Sequence, residues 1–210
     1  MEKKKISITV IRRLPKYYRK LEDLEKIKIS RVSSQELSVL TGFTASQIRQ
    51  DLNNFGGFGQ QGYGYNVKEL KDNLEKILGL KNVHNTCVVG AGNLGSAVAN
   101  FKGFDDAGFK IVAIFDKSED VIGTKIGGIS VKDSADMKKT IKDKDIKIAV
   151  LTVPKENAQD VAEELVEANV KSIWNLTTAD LDLKDDVIVE DVSLIDSLFT
   201  LSYFMKEKYK

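Results

Sequence analysis

The feature that most constrains this chain is the run Gly90, Ala91, Gly92, Asn93, Leu94, Gly95, set between the strand-like stretch Thr86 to Val89 and the helix-like stretch Ser96 to Phe101. G-x-G-x-x-G in that context is the fingerprint of a dinucleotide-binding strand-turn-helix. The first glycine makes the tight turn, the second lets backbone approach a pyrophosphate, and the third lets helix pack on strand. The helix start supplies amides and a partial positive charge to the same anion. The next apolar run, FKIVAIFD, ends in Asp116, 21 residues after Gly95. An acidic group there accepts bonds from the adenosine ribose hydroxyls and repels a 2′-phosphate, so NADH/NAD+ is expected rather than the phosphorylated form.

Further apolar runs follow the same rhythm: IKIAVLTVP, VKSIWNL and VIVEDV read as strands, and Glu156 to Ala168 reads as a crossover helix. Strands alternating with helices predict a parallel sheet covered on both faces. The ends of the later strands, Thr152 with Pro154 and Asn175 with Thr177 and Thr178, fall where the nicotinamide half should lie. The closing stretch Val192 to Met205, with Leu194, Ile195, Leu198, Phe199, Leu201 and Phe204, is too apolar to stand free and suggests a dimer.

The first part of the chain has a different texture. Apolar positions at Tyr17, Tyr18, Leu21, Leu24 and Ile27 have helical spacing, so a helix is expected over Lys16 to Ile27 with Pro15 at its first turn. Ser33 to Glu36 has the capping-box arrangement and opens a short helix with Leu37 and Leu40 inward; Thr44 with Gln47 opens another, with Ile48, Leu52 and Phe55 inward. Outward on the latter are Ser46, Gln47, Arg49, Gln50 and Asn53. Two helices joined by a tight turn, with polar groups on the second, fit the major groove of double-stranded DNA. For Arg49 the alternative is a surface pairing with Asp51 or Glu36.

Residues 56–64, GGFGQQGYG, hold five glycines with Phe58 and Tyr63 interleaved. They read as a wing that lets Gln60 and Gln61 approach a phosphate backbone, the alternative being a flexible linker. Lys68 to Leu80 then reads as a connecting helix and Lys81 to Asn85 as a linker. The expected organisation is a winged-helix unit over 1–82, a Rossmann unit over 83–191 and a terminal dimerisation helix over 192–210.

Charge follows that division. Residues 1–82 carry 16 Lys/Arg against 9 Asp/Glu and the remainder 16 against 22, so a net of +1 conceals about +7 and −6. A basic part joined to an acidic one suggests that only the first meets a polyanion. No run approaches the 18 apolar residues of a membrane span, and the start lacks the apolar core of a secretion signal, so a cytoplasmic protein without a membrane partner is expected. Cys87, the only cysteine, sits in an apolar stretch, against a disulfide framework or a thiolate metal site.

Catalysis is not expected. Hydride-transfer enzymes need a placed proton donor and a pocket for a second substrate. The only histidine, His84, falls in the expected linker, and Tyr203 and Tyr209 lie in or beyond the final helix. No Cys, His and carboxylate cluster has metal-ligand spacing.

The chain as a whole resembles the Rex family of bacterial redox-sensing transcriptional repressors. The resemblance rests on residues 33–67, SSQELSVLTGFTASQIRQDLNNFGGFGQQGYGYNV; on VVGAGNLGSAVAN at 88–100; on Phe115 with Asp116; on LTVP at 151–154; and on LSYF at 201–204. It implies a winged helix-turn-helix domain, a Rossmann domain, and a C-terminal helix exchanged between the subunits of a homodimer. It also implies repression from palindromic A·T-rich operators when NADH is low, with NADH binding releasing the DNA. Two departures stand out. Gln50 occupies a position where the family usually has Lys, and glutamine pairs with adenine where lysine prefers guanine. Some relatives couple a Tyr after the glycine motif and an Asp near the terminal helix to an Arg of the first helix; the matching positions here are Phe101, Ser193 and Arg19. A small NAD-dependent oxidoreductase with an accessory domain is the main competing reading. A CoA-binding or ligase-like subunit is another, and it would need a phosphate-contacting histidine or a partner subunit.

Overall fold

The computed structural model describes residues 6–60 and 63–209, with Gln60 described in its backbone only. The chain divides into two compact units between Asn82 and Val83.

In the first unit, α1 (Ile8–Lys26) is followed by β1 (Arg31–Val32), α2 (Ser34–Thr41), α3 (Ala45–Asn53), β2 (Gly59–Gln60), β3 (Gly64–Asn66) and α4 (Val67–Ile77). The helix starts of α2 and α3 are locally dictated. Ser33 and Thr44 each accept from the amide three residues on, and Glu36 and Gln47 each reach back to the cap amide, so orphan donors are satisfied in pairs. Gly42, at φ +75°, closes α2 in the left-handed region and sets the sharp turn into α3. Leu14, Tyr17, Leu21, Leu37, Ile48, Leu52, Leu70 and Leu74 form one core among the four helices. β2, β3 and β1 pair antiparallel into a small sheet, so the glycine-rich stretch is a wing and not a linker.

Two expectations need correction here. α1 begins at Ile8, not Lys16, and Pro15 lies inside it. Pro15 is on the solvent side, where water can serve the Ile11 carbonyl that its missing N–H leaves without a donor. Leu40 points outward, at 41% exposure, and of the two leucines only Leu37 is sealed.

In the second unit the order is β4 (His84–Val89), α5 (Asn93–Ala99), α6 (Gly103–Asp106), β5 (Phe109–Asp116), β6 (Lys125–Ile126), β7 (Ile129–Asp133), a 3-10 turn (Ser134–Asp136), α7 (Met137–Asp143), β8 (Ile148–Leu151), α8 (Lys155–Glu167), β9 (Ser172–Asn175), β10 (Ile188–Asp191) and α9 (Leu194–Lys208). The sheet runs β10-β9-β8-β4-β5-β7-β6, parallel except for the short β6–β7 hairpin. β4 lies centrally and the chain winds outward to either side of it, the doubly wound order. Cys87 and Val89 face a core with α7 and α8, while Val88 faces the opposite core with Val98 of α5, which is why the strand reads as uninterrupted apolar residues. Burial pushes the Cys87 thiol up to about 12 and keeps it neutral. The strand starts at His84, so this residue leaves the expected linker and stacks on Phe109 at 5.3 Å. α5 starts at Asn93, inside the glycine motif rather than after it.

No residue of α9 is buried. Leu198, Phe199, Leu201 and Phe204 are each more than half exposed.

Candidate nucleotide cleft and DNA-reading face

The nucleotide cleft opens at the carboxyl ends of β4, β5 and β8, where the winding direction reverses. Gly90, at φ +102°, turns the chain out of β4, and a Cβ there would meet the Thr152 backbone at 2.8 Å. At Gly95 a Cβ would lie 1.8 Å from the Gly90 carbonyl oxygen, so α5 can pack this close only without a side chain. Gly92 is different: it caps α5 without a side-chain bond, is exposed, and a Cβ there would meet nothing within 4 Å. Its bareness leaves room for a group that approaches the backbone from the cleft. Asn93 lies exposed and Leu94 half-buried on the same first turn.

The Asp116 carboxylate faces this loop. One oxygen accepts from the Ala91 amide at 2.6 Å and the other from the Ser118 amide at 2.9 Å. A carboxylate has about four acceptor sites, so capacity remains for sugar hydroxyls. The Thr152 hydroxyl donates toward the Val89 and Gly90 carbonyls, at 2.9 Å each, and joins β8 to the turn. Gly90, Gly92, Asp116, Thr152 and Pro154 bound a cavity of about 700 Å³, which Ala91, Asn93, Leu94 and Gly95 do not line. Lys117, Ser118, Met137, Asn157 and Asp160 line it too. No motif singled those residues out; only their places just after a strand end or in the first turns of α7 and α8 could have.

Asn175 does not line that cavity. It is 1% exposed and its amide is fully occupied: Nδ2 donates to the Ala179 carbonyl and to Asp191, and Oδ1 accepts from the amide and hydroxyl of Thr177. Asn175 fixes the turn that carries Thr177, and Thr177 is only partly buried.

On the first unit, α3 presents Ser46, Gln47, Arg49, Gln50 and Asn53 to solvent. The Gln47 side-chain oxygen Oε1 accepts from the Thr44 amide and hydroxyl, so part of its capacity serves the helix start. Arg49 donates to the Ser34 hydroxyl at 2.8 Å. Neither carboxylate offered as its alternative partner takes that role. Glu36 is bound to the Ser33 amide. Asp51, 2% exposed, lies on the inner face of α3 and accepts from Arg13 and Tyr17 of α1. In the wing, the Gln61 position lies outside the described residues; exposed Tyr63 is bracketed by Arg31, which donates to its carbonyl at 3.3 Å and lies 5.8 Å from its ring. Arg31 and Arg13 escaped the sequence reading because their partners are 32 and 38 residues away.

Of the residues matching the family's switch, Arg19 is exposed on α1 and Ser193 caps α9 by accepting from the Asp196 amide. Phe101 packs edge-on against Phe104, 4.9 Å between centroids, at the mouth of an apolar groove of about 500 Å³ that also contains Ile111, Trp174 and Ile188. Among the described residues no His, Cys, Asp and Glu group could hold a metal, and no helix is long and apolar enough to cross a membrane.

A winged helix-turn-helix joined to a Rossmann unit with a glycine cradle and an acidic strand end defines a nucleotide-responsive DNA-binding regulator. Comparison with known proteins gives the particular family. The "CoA binding domain" family matches residues 81–179 and the family described as "Putative DNA-binding protein N-terminus" matches residues 5–53. The redox-sensing transcriptional repressor Rex of Clostridioides difficile (strain 630) is 57% identical over 97% of both chains, and that of Caldanaerobacter subterraneus subsp. tengcongensis is 55% identical over 99% of this chain and 93% of the relative. A crystal structure of RSP in complex with β-NAD+ and operator DNA superposes with a TM-score of 0.93 at 53% identity, over 98% of this chain and 95% of that one. RSP in complex with β-NADH gives 0.91 at 50% identity, over 98% and 97%. This chain belongs to the Rex family of redox-sensing transcriptional repressors. These relatives are repressors rather than enzymes, and the CoA-binding match describes the nucleotide unit alone.

Proposed function

We propose that this chain acts in the cytoplasm as a homodimer that binds a palindromic, A·T-rich operator and releases it on binding NADH. The observation that carries the reading is the joint presence, in one chain, of a polar recognition face on α3 and a glycine cradle facing Asp116. The amides at the start of α5, from Gly92 to Gly95, would hold the pyrophosphate, and Asp116, which ties down the Ala91 amide, the adenosine ribose. Thr152, Pro154 and Thr177 would border the nicotinamide half, with Asn175 acting through the turn it fixes. The nucleotide supplies a redox-dependent charge and shape at the nicotinamide end. The chain's own groups bind it, and no proton donor is needed.

On the DNA side Ser46, Arg49, Gln50 and Asn53 would enter the major groove while Gln60 and Gln61 would meet the phosphate backbone. The apolar α9, bare along its length, supports an exchanged helix that lies against the partner, with the groove at Phe101 as a matching apolar surface. Two-fold symmetry then matches a palindrome through two copies of α3. RSP holds β-NAD+ together with operator DNA, which supports NADH as the releasing form here. A ligand that prefers a dimer geometry with misaligned reading heads weakens DNA binding by the ratio of its affinities for the two geometries.

The test is fluorescence anisotropy of a labelled palindromic operator at fixed salt, titrated with NADH or NAD+. Salt is held because it alone shifts such affinities by orders of magnitude. Release by NADH with little response to NAD+ is expected. Tight NADH binding without specific affinity for any palindrome would instead favour the oxidoreductase reading.

A further inference from the structure

Arg49 projects from the outer face of α3, yet its guanidinium is held by a neutral partner, the Ser34 hydroxyl at 2.8 Å. Ser34 is the first residue of α2, directly after the cap Ser33, in a turn fixed by the Ser33–Glu36 box. Its hydroxyl is not the cap, because the Glu36 amide bonds to Ser33. The two carboxylates near enough in sequence to compete for Arg49 are engaged elsewhere, Glu36 with the Ser33 amide and Asp51 with Arg13 and Tyr17.

We infer that Ser34 is a positioning residue for sequence recognition: it holds the Arg49 side chain in one orientation without cancelling its charge. This rests on the reading that α3 enters the operator's major groove. Arginine pays rotamer entropy when it docks on a base edge, and a partner that fixes it beforehand removes part of that cost. A carboxylate could fix it too, but would have to be stripped away before the guanidinium met DNA, and its charge would oppose the phosphates. A hydroxyl avoids both penalties and, as a two-way hydrogen-bonding group, can keep its bond while other guanidinium donors turn to a base. α2 thus does more than cross the backbone; it sets the aim of one side chain on α3.

The experiment compares wild type, Ser34→Ala, Ser34→Thr, Arg49→Ala and the Ser34→Ala/Arg49→Ala double variant in the full chain. Each is measured for affinity to the operator, to operators substituted at single positions, and to non-specific DNA of equal length. Ser34→Ala should weaken operator binding by roughly threefold to tenfold, the net worth of one ordinary hydrogen bond. It should flatten base preference at the position that Arg49→Ala also flattens, with non-specific affinity and NADH affinity unchanged. Ser34→Thr, which keeps the hydroxyl, should restore both, and the double variant should be no worse than Arg49→Ala alone. A merely structural role for Ser34 would instead lower thermal stability without touching base preference. If Ser34→Ala reads the operator like wild type while Arg49→Ala does not, the positioning role is overturned and the recognition helix stands. If Arg49→Ala itself binds normally, the reading of α3 is what fails.

Discussion

The Asp51 carboxylate on the buried face of the recognition helix takes a two-pronged bond from Arg13 of α1, Nε and Nη2 each at 2.7 Å, and a third from the Tyr17 hydroxyl at 2.7 Å. An acidic residue between Gln50, which faces outward, and Leu52, which is sealed in the core, thus fastens α3 to α1. Forked pairing fixes direction as well as distance.

Removing one member leaves the others uncompensated in a nearly dry site. Asp51→Ala should cost about 3 kcal/mol, the low end for breaking a buried pair, because Arg13 keeps some contact with water. Tyr17→Phe keeps the ring against Phe43 but loses a bond to a buried carboxylate and should cost about 1.5–2 kcal/mol. Urea unfolding followed by circular dichroism tests both, with Trp174 fluorescence reporting the other unit. Burial first, then the bond to Asp51, pushes the Tyr17 phenol well above the ordinary tyrosine value of 10. The folded state therefore holds that proton more tightly, and its contribution is complete below pH 10 and lost as pH rises beyond it. Wild type should lose stability in that alkaline window, and Tyr17→Phe should lose less.

Gly92 and Gly95 separate binding from folding. Gly95→Ala forces a side chain to 1.8 Å from the Gly90 carbonyl and should lower the melting temperature of the nucleotide unit. Gly92→Ala meets no protein atom within 4 Å and should melt as wild type does, yet lose NADH affinity by isothermal titration. Normal NADH affinity in a folded Gly92→Ala protein would remove the cradle from the account.

α9 carries a dimer expectation that one charge can test. Leu198 and Phe199 are 58% and 65% exposed, and no isolated chain gains by offering such a helix to water. Leu198→Asp should shift sedimentation from dimer to monomer at micromolar concentration and abolish operator binding. A dimer of wild-type affinity in that variant would mean that another surface pairs the chains.

Gln50 predicts altered reading. Gln50→Lys should move the preferred base pair at one position of each half-site from A·T to G·C, with a discrimination of about 1–3 kcal/mol. Selection from a randomised operator pool checks it, and an unchanged guanine preference in the wild-type protein would end the idea.

What could be read from sequence was what local chemistry decides. The pairs Ser33 with Glu36 and Thr44 with Gln47 announce helix starts because cap and partner are three residues apart, and the glycine motif announces its turn because backbone demands it. Pro15 misled because a proline suits a first turn in general, while here its solvent-facing place makes an interior position tolerable. The β6–β7 hairpin was missed because Lys125–Ile126 is only two residues long and Ile129–Asp133 alternates apolar with polar residues over only five. The use of Asp51 and the saturation of Asn175 were hidden for a different reason: both depend on partners brought together only by the fold.

The most direct measurement of the nucleotide as signal is the NADH dissociation constant of the full chain with and without saturating operator, at one salt concentration. Linkage requires the operator to weaken NADH by the same factor by which NADH weakens the operator. A matched loss in both directions, with NAD+ affinity little changed, is the expected result. NADH affinity indifferent to operator would contradict the redox switch, however tightly each ligand binds alone.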